Sequence, residues 1–126
     1  MQTMQKAMGK TMSKNVIWAV EGSIKEGQRA ALNTVMHDMI EVTSKEVGSL
    51  NYEWTLAEDG STIHIYERYA DEAAAKAHLT TWGKNAARFI AAVDISRVVI
   101  YSSVSEELKA SFAGAVMMTP IGGFAK

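Results

Sequence analysis

Residues 63–78, read as Ile-His-Ile-Tyr-Glu-Arg-Tyr-Ala-Asp-Glu-Ala-Ala-Ala-Lys-Ala-His, pass from an alternating strand into an alanine-rich helix with no loop between them. Side chains two apart share a strand face, so Ile63, Ile65, Glu67 and Tyr69 belong together. Asp71 is a residue type that caps helix N-termini, and the alanines behind it favour helix. A junction this abrupt excludes an all-β or all-helical chain and makes an α+β fold. It also lets the strand end and the first turns of the helix line one pocket, Glu67 from the strand and His78 from the helix.

The rest of the chain supplies partners for that unit. Asn15 to Glu21 is a short, nearly continuous apolar run rich in β-formers and reads as a strand, with Gly22 to Gly27 as a turn. From Gln28 to Glu46, Ala31, Leu32, Val35, Met36, Met39 and Ile40 recur at helical spacing. Ser23 and Glu26 offer a capping box, Gly27 a later start, and Gly48 a left-handed C-terminal cap. Asn51 to Leu56 and Thr62 to Tyr69 form a hairpin around Asp59-Gly60. The helix from Asp71 is expected to run to about His78, to break at Thr80–Gly83, and to resume from Lys84 to Val93. Ile95 to Tyr101 is the last strand and Ser105 to Phe112 a short helix. Pro120 and Gly122-Gly123 leave the tail irregular.

The order β-α-β-β-α-β is the ferredoxin-like arrangement, an antiparallel sheet with both helices on one face. A length of 126 residues supports one such domain. It is expected over residues 15–104, after a disordered extension at 1–14 and before the helix and tail at 105–126. Met12 offers an alternative start. Strands 16–20 and 98–101 are apolar on both sides, whereas a water-facing antiparallel sheet should alternate. Exposing Val16 or Trp18 with Val99 or Tyr101 would leave an apolar patch. A second copy packed sheet to sheet removes it, so a homodimer is expected.

Composition narrows the function by exclusion. A net charge of −1 and no basic stripe leave no electrostatic footprint for nucleic acid. The absence of cysteine excludes disulfides, a thiolate nucleophile and Cys-ligated metal sites. No apolar run approaches the ~20 residues that cross a bilayer, and the basic N-terminus lacks the apolar core of a secretory signal. The protein is read as cytoplasmic, without a membrane partner. Histidines at metal-ligand spacing and nucleotide-binding glycine motifs do not occur, so no cofactor is indicated.

His78 is the first candidate for chemistry, since a histidine near neutral pH can take a proton from an acidic phenol or activated C–H. Its alternative is a structural histidine hydrogen-bonded to backbone. Glu67, aligned with apolar neighbours, is costly to bury unless paired, with Arg97 or Arg88 as conceivable partners. It is either a functional acid or an anchor. Trp54, Tyr66, Tyr69 and Trp82 are core aromatics or the walls of a flat slot for a ring, and Asn85 is a donor to a phenolic oxygen or a solvated side chain. His37 and His64 look ordinary.

Tyr66-Glu67-x-Tyr69-x-Asp71 with Ala74 and His78, and the terminal Thr119-Pro-Ile-Gly-Gly-Phe124, resemble the antibiotic biosynthesis monooxygenase family. The resemblance runs from Asn15 to Tyr101. It implies a dimeric α/β barrel and a cofactor-independent monooxygenase acting with O2 on a small aromatic or quinone-like molecule. His78 would be the base, assisted by Glu67, with Trp54, Tyr66, Tyr69, Trp82 and Asn85 around the substrate. The haem-degrading branch places an iron-ligating histidine about three turns beyond the position of His78. Here that region holds Lys84, Asn85 and Arg88, and no histidine follows His78. The alternatives on the same fold are a non-catalytic dimer that binds a small molecule, an isomerase, or a peroxide-using haem enzyme.

Overall fold

The computed structural model describes residues 13–126, so the extension expected at 1–14 lies almost wholly outside the described residues. The elements run β1 (Val16–Ile24), α1 (Arg29–Ser44), β2 (Ser49–Leu56), β3 (Thr62–Tyr69), α2 (Glu72–Ala92), β4 (Val93–Ile100), α3 (Glu106–Ala110) and β5 (Val116–Met117). The sheet order is β2-β3-β1-β4-β5. All pairings are antiparallel except β4 with β5. This is the expected ferredoxin-like sheet with one strand added at its edge. Among the described residues no helix is long and apolar enough to cross a membrane.

The loopless β3–α2 junction works through Asp71, whose carboxylate accepts the amide of Ala74 at 2.9 Å and so satisfies a donor the helix itself leaves open. At the hairpin, Asp59 accepts the amides of Ser61 and Thr62 at 2.8 Å and the Thr62 hydroxyl at 2.6 Å. These bonds hold its carboxyl down at about 2. Gly60 follows with φ +76°, a conformation glycine adopts without strain.

Alternation sorts the strands into two faces. Val16 and Trp18 of β1 and Ile63, Ile65, Glu67 and Tyr69 of β3 are buried beneath the helices. One cluster joins Ile63 and Ile65 to Leu32, Val35, Met39 and Phe89, and another joins Val16, Trp18 and Tyr69 to Ala75, Ile100 and Leu108. Val16 and Trp18 therefore make no outer patch. The outer face mixes Tyr66, Ala19 and Val99, neighbours across three strands, with a Glu21–Arg97 pair at 2.9 Å.

Several local expectations fail for reasons of packing. β1 runs on through Gly22 to Ile24, because a Cβ at Gly22 would lie only 2.6 Å from the Asp94 carbonyl oxygen and glycine has none. The pairing slips there, Glu21 opposite Arg97 but Gly22 opposite Ile95, leaving Ser96 as the extra residue of a bulge. The Ser23–Glu26 capping box is absent; α1 starts after Gln28 without a side-chain cap. Gly48 is not left-handed. It is the place where the chain passes α2, and a Cβ there would meet the Ala74 Cβ at 2.3 Å.

α2 is one helix of 21 residues, unbroken at Thr80–Gly83. Thr81 is held by Glu46 at 2.6 Å, and the Trp82 ring stacks edge-on against Phe89 at 5.2 Å. The ~1 kcal/mol cost of Gly83 in a helix is smaller than what burying such rings returns. The tail is not wholly irregular either, since Val116 and Met117 pair with Val99 and Ile100.

Candidate active site

Between the inner face of the sheet, α2 and residues 111–115 lies a cavity of about 440 Å³, a size that suits a small organic ligand. Its walls are mainly apolar and aromatic, with Trp18, Tyr52, Trp82, Phe89 and Phe112 contributing rings. Glu67 and His78 reach it from β3 and α2.

His78 stands between two carboxylates. Its Nδ1 is 3.1 Å from Glu46 Oε1 and its Nε2 is 3.3 Å from Glu67 Oε1. Glu46 follows α1, and its oxygens already accept the hydroxyls of Ser49 at 2.8 Å and Thr81 at 2.6 Å. An oxygen so engaged is the acceptor for an Nδ1–H, which leaves Nε2 as the free basic nitrogen facing Glu67. The same Glu67 Oε1 accepts the Tyr69 hydroxyl at 2.5 Å. The rings of Tyr52 and Tyr69 pack on the imidazole with centroids 5.2 and 5.0 Å away.

Burial sets the electrostatics. It pushes the Glu67 carboxyl up to about 7, against the opposing hydrogen bonds of Tyr69 and Trp18. Burial also pushes His78 below the usual histidine value, against the attraction of Glu46. The phenols of Tyr52 and Tyr69 are driven far up, first by burial and then by the Glu67 charge, so both remain protonated. With the carboxyl raised and the imidazole lowered, both shifts favour protonated Glu67 beside neutral His78.

The sequence-named residues separate into those at the cavity and those away from it. His78, Glu67 and Trp82 line it. Tyr69 is fully buried behind Glu67, and Trp54 packs on Tyr52 and Phe89 at 5.7 Å, outside the lining. Tyr66 is on the other face of the sheet, 40% exposed, because a residue next to Glu67 in a strand must point the opposite way. Asn85 bonds the Thr81 carbonyl at 3.1 Å and accepts from Arg88 at 3.3 Å, also off the lining. Glu67 pairs with neither Arg97 nor Arg88, which bind Glu21 and Asp38.

Trp18, Tyr52, Phe112 and Glu46 are the residues sequence reasoning passed over. Tyr52 and Trp18 carried a signal, since each shares a strand face with apolar neighbours. Glu46 carried none, as it is an isolated acid just past a helix end. Among the described residues no cluster of His, Cys, Asp and Glu is arranged to hold a metal ion.

The sequence profile of the antibiotic biosynthesis monooxygenase family matches residues 16–92. No curated protein matches the chain. Among solved structures, MupZ from Pseudomonas fluorescens is similar with a TM-score of 0.79 and 22% identity, over 91% of this chain and 91% of that one. Rv0793 from Mycobacterium tuberculosis gives 0.62 and 22%, over 73% and 97%. SnoaB, a cofactor-independent oxygenase from Streptomyces nogalater, gives 0.63 and 11%, over 74% and 96%. At these identities the likeness is one of fold.

Proposed function

Because the chain belongs to the antibiotic biosynthesis monooxygenase family, we propose that it is a cofactor-independent monooxygenase oxidising a small aromatic or quinol-type molecule with O2. The observation that carries this reading is the buried His78–Glu67 pair facing an aromatic-walled cavity. SnoaB, described as a cofactor-independent oxygenase, shares the fold and supports it.

Ground-state O2 reacts poorly with closed-shell molecules, so the substrate itself must supply the electrons. His78 Nε2 takes the proton of a phenol, hydroquinone or anthrone, and the resulting anion becomes electron-rich enough to reduce O2. For a ring CH2 the balance is CH2 plus O2 giving C=O plus H2O, with one oxygen atom entering the substrate and the other leaving as water. Glu67 receives the proton from the imidazole or returns it to the departing oxygen. Glu46 holds the imidazole in the tautomer that presents Nε2. Trp18, Trp82 and Phe89 sandwich the ring and exclude water, which strengthens the electrostatics of the pair.

We also propose a homodimer joined through the outer sheet faces and working in the cytoplasm. Tyr66, 40% exposed beside half-buried Ala19, supports that face as the contact. The test is oxygen uptake by protein stripped of metals and cofactors, against hydroquinones, naphthoquinols and anthrones. Enzyme-dependent uptake that falls with His78→Ala would uphold the reading and the base. Tight binding of such rings without uptake would instead make the protein a ligand-binding dimer.

A further inference from the structure

The cavity has walls of two origins. Glu67, His78, Tyr52 and Trp82 come from elements within residues 16–92, the stretch the family profile matches. Ile95 and Val98 of β4 and residues 111–115 also line it, and all lie beyond that stretch.

Residues 111–115 form a strap fixed at both ends. Before it, the amide and hydroxyl of Ser105 bond the two carboxylate oxygens of Glu72 at 2.9 and 2.6 Å. Lys76 pairs with Glu107 at 3.2 Å, and Leu108 is buried in the cluster around Trp18. After it, β5 pairs with β4, and the Met118 amide donates to the Ile100 carbonyl at 2.7 Å. Between these anchors the Phe112 ring lies on Trp18, centroids 4.8 Å apart, and the chain turns at Gly114 with φ +83°. Ala113 and Ala115 bring only methyl groups to the lining.

We infer that the strap is the specificity-determining wall of this cavity, and that with Ile95 and Val98 it selects ligands carrying an apolar extension beyond the reacting ring. The inference rests on the aromatic-substrate reading above and adds where the non-reacting part is recognised. A ring hydroxyl belongs at His78 and Glu67. An alkyl chain or further fused ring then lies against Ile95, Val98, Phe112 and the two alanine methyls. Each methylene buried there is worth roughly a fourfold gain in affinity. Short residues in the strap leave room for such an extension, and its anchoring at both ends keeps that room from collapsing.

The probes are 1,4-naphthoquinone and its 2-methyl and 2-pentyl derivatives, oxidised analogues that cannot be turned over. Binding is read as quenching of tryptophan fluorescence, since Trp18 and Trp82 line the cavity. The full chain is expected to bind the pentyl compound about tenfold or more tighter than the parent ring, by the same burial argument. Ala113→Leu, placed at an exposed position, should take away most of that gain while leaving the parent ring's affinity within about twofold. Phe112→Ala, which removes the ring the extension lies against, should lower the pentyl-to-parent preference.

An equal loss for all three probes in Ala113→Leu, or no loss, overturns the inference. So does a wild-type protein that binds the parent ring and gains nothing from the chain, although ring binding itself then stands. Failure to bind any of the three overturns both the inference and the aromatic-ligand reading. Should Phe112→Ala not fold, Ala113→Leu decides alone, with its melting temperature as the check on integrity.

Discussion

His78 Nε2 lies 3.3 Å from Glu67 Oε1, with the histidine 2% and the glutamate 4% exposed. A carboxyl buried this deeply is costly to ionise, and it is held by the Tyr69 hydroxyl on the oxygen that the imidazole faces. The same burial favours a neutral imidazole, able to take a proton, beside a protonated carboxyl, able to give one.

Glu67→Gln should reveal the cost of that burial. The folded carboxyl is raised to about 7, whereas an unfolded one titrates near 4.3. The unfolded chain therefore releases the proton first, and the wild-type protein loses stability as pH rises from about 4.3 to about 7. Glutamine has no such titration. Between pH 5 and pH 8 the stability difference should move in favour of Glu67→Gln by roughly 2 kcal/mol, as read from urea midpoints of both proteins at the two pH values. Parallel pH curves would show that Glu67 does not titrate in this window.

Glu46→Gln addresses the other side of the imidazole. Glu46 raises the His78 pKa by its charge and its hydrogen bond, so its neutralisation lowers that pKa further. On a confirmed substrate, the acid limb of kcat/KM should move to lower pH. The plateau should fall about tenfold or more as the fixed tautomer is lost. A profile that keeps its limb and loses only amplitude would mean that Glu46 does not tune His78.

Gly48→Ala is expected to be destabilising by about 1–3 kcal/mol. The new methyl would meet the Ala74 Cβ at 2.3 Å, and α2 would have to move from the turn that carries Glu46. Chemical denaturation measures the first effect. A loss of turnover in the protein that remains folded measures the displacement of Glu46 from His78.

Gly83→Ala should do the opposite. Gly83 is mid-helix and exposed, with nothing within 4 Å of an added Cβ, so alanine there should add about 0.5–1 kcal/mol. Turnover should be unchanged. A rise in the denaturation midpoint checks it, and a fall would mean that the helix needs glycine there for a reason the packing does not show.

Much of the fold was legible because its signals are local. The alternation Ile63, Ile65, Glu67, Tyr69, the Asp71 cap and the Asp59-Gly60 turn all act within a few residues, and each is found where expected. Where the reading failed, a distant contact outweighed a local preference. Thr80–Gly83 reads as a break, yet Thr81 is tied to Glu46 and Trp82 to Phe89, so the helix continues. Gly48 reads as a cap, yet its purpose is to let Ala74 approach.

The candidate site divides in the same way. That Glu67 faces inward with the apolar residues follows from the two-residue period of a strand, and the same period places Tyr66 outside. Backbone geometry imposes both, so sequence alone determined them, together with the α+β order and the residue types available for chemistry. Only the tertiary structure decided what meets what. Glu46 and His78 are 32 positions apart, and Phe112 reaches Trp18 from the far end of the chain. No periodicity spans such separations. Contacts of that kind are set by strand register and helix packing acting at once, and they turn a buried histidine and a buried acid into a pair facing a cavity.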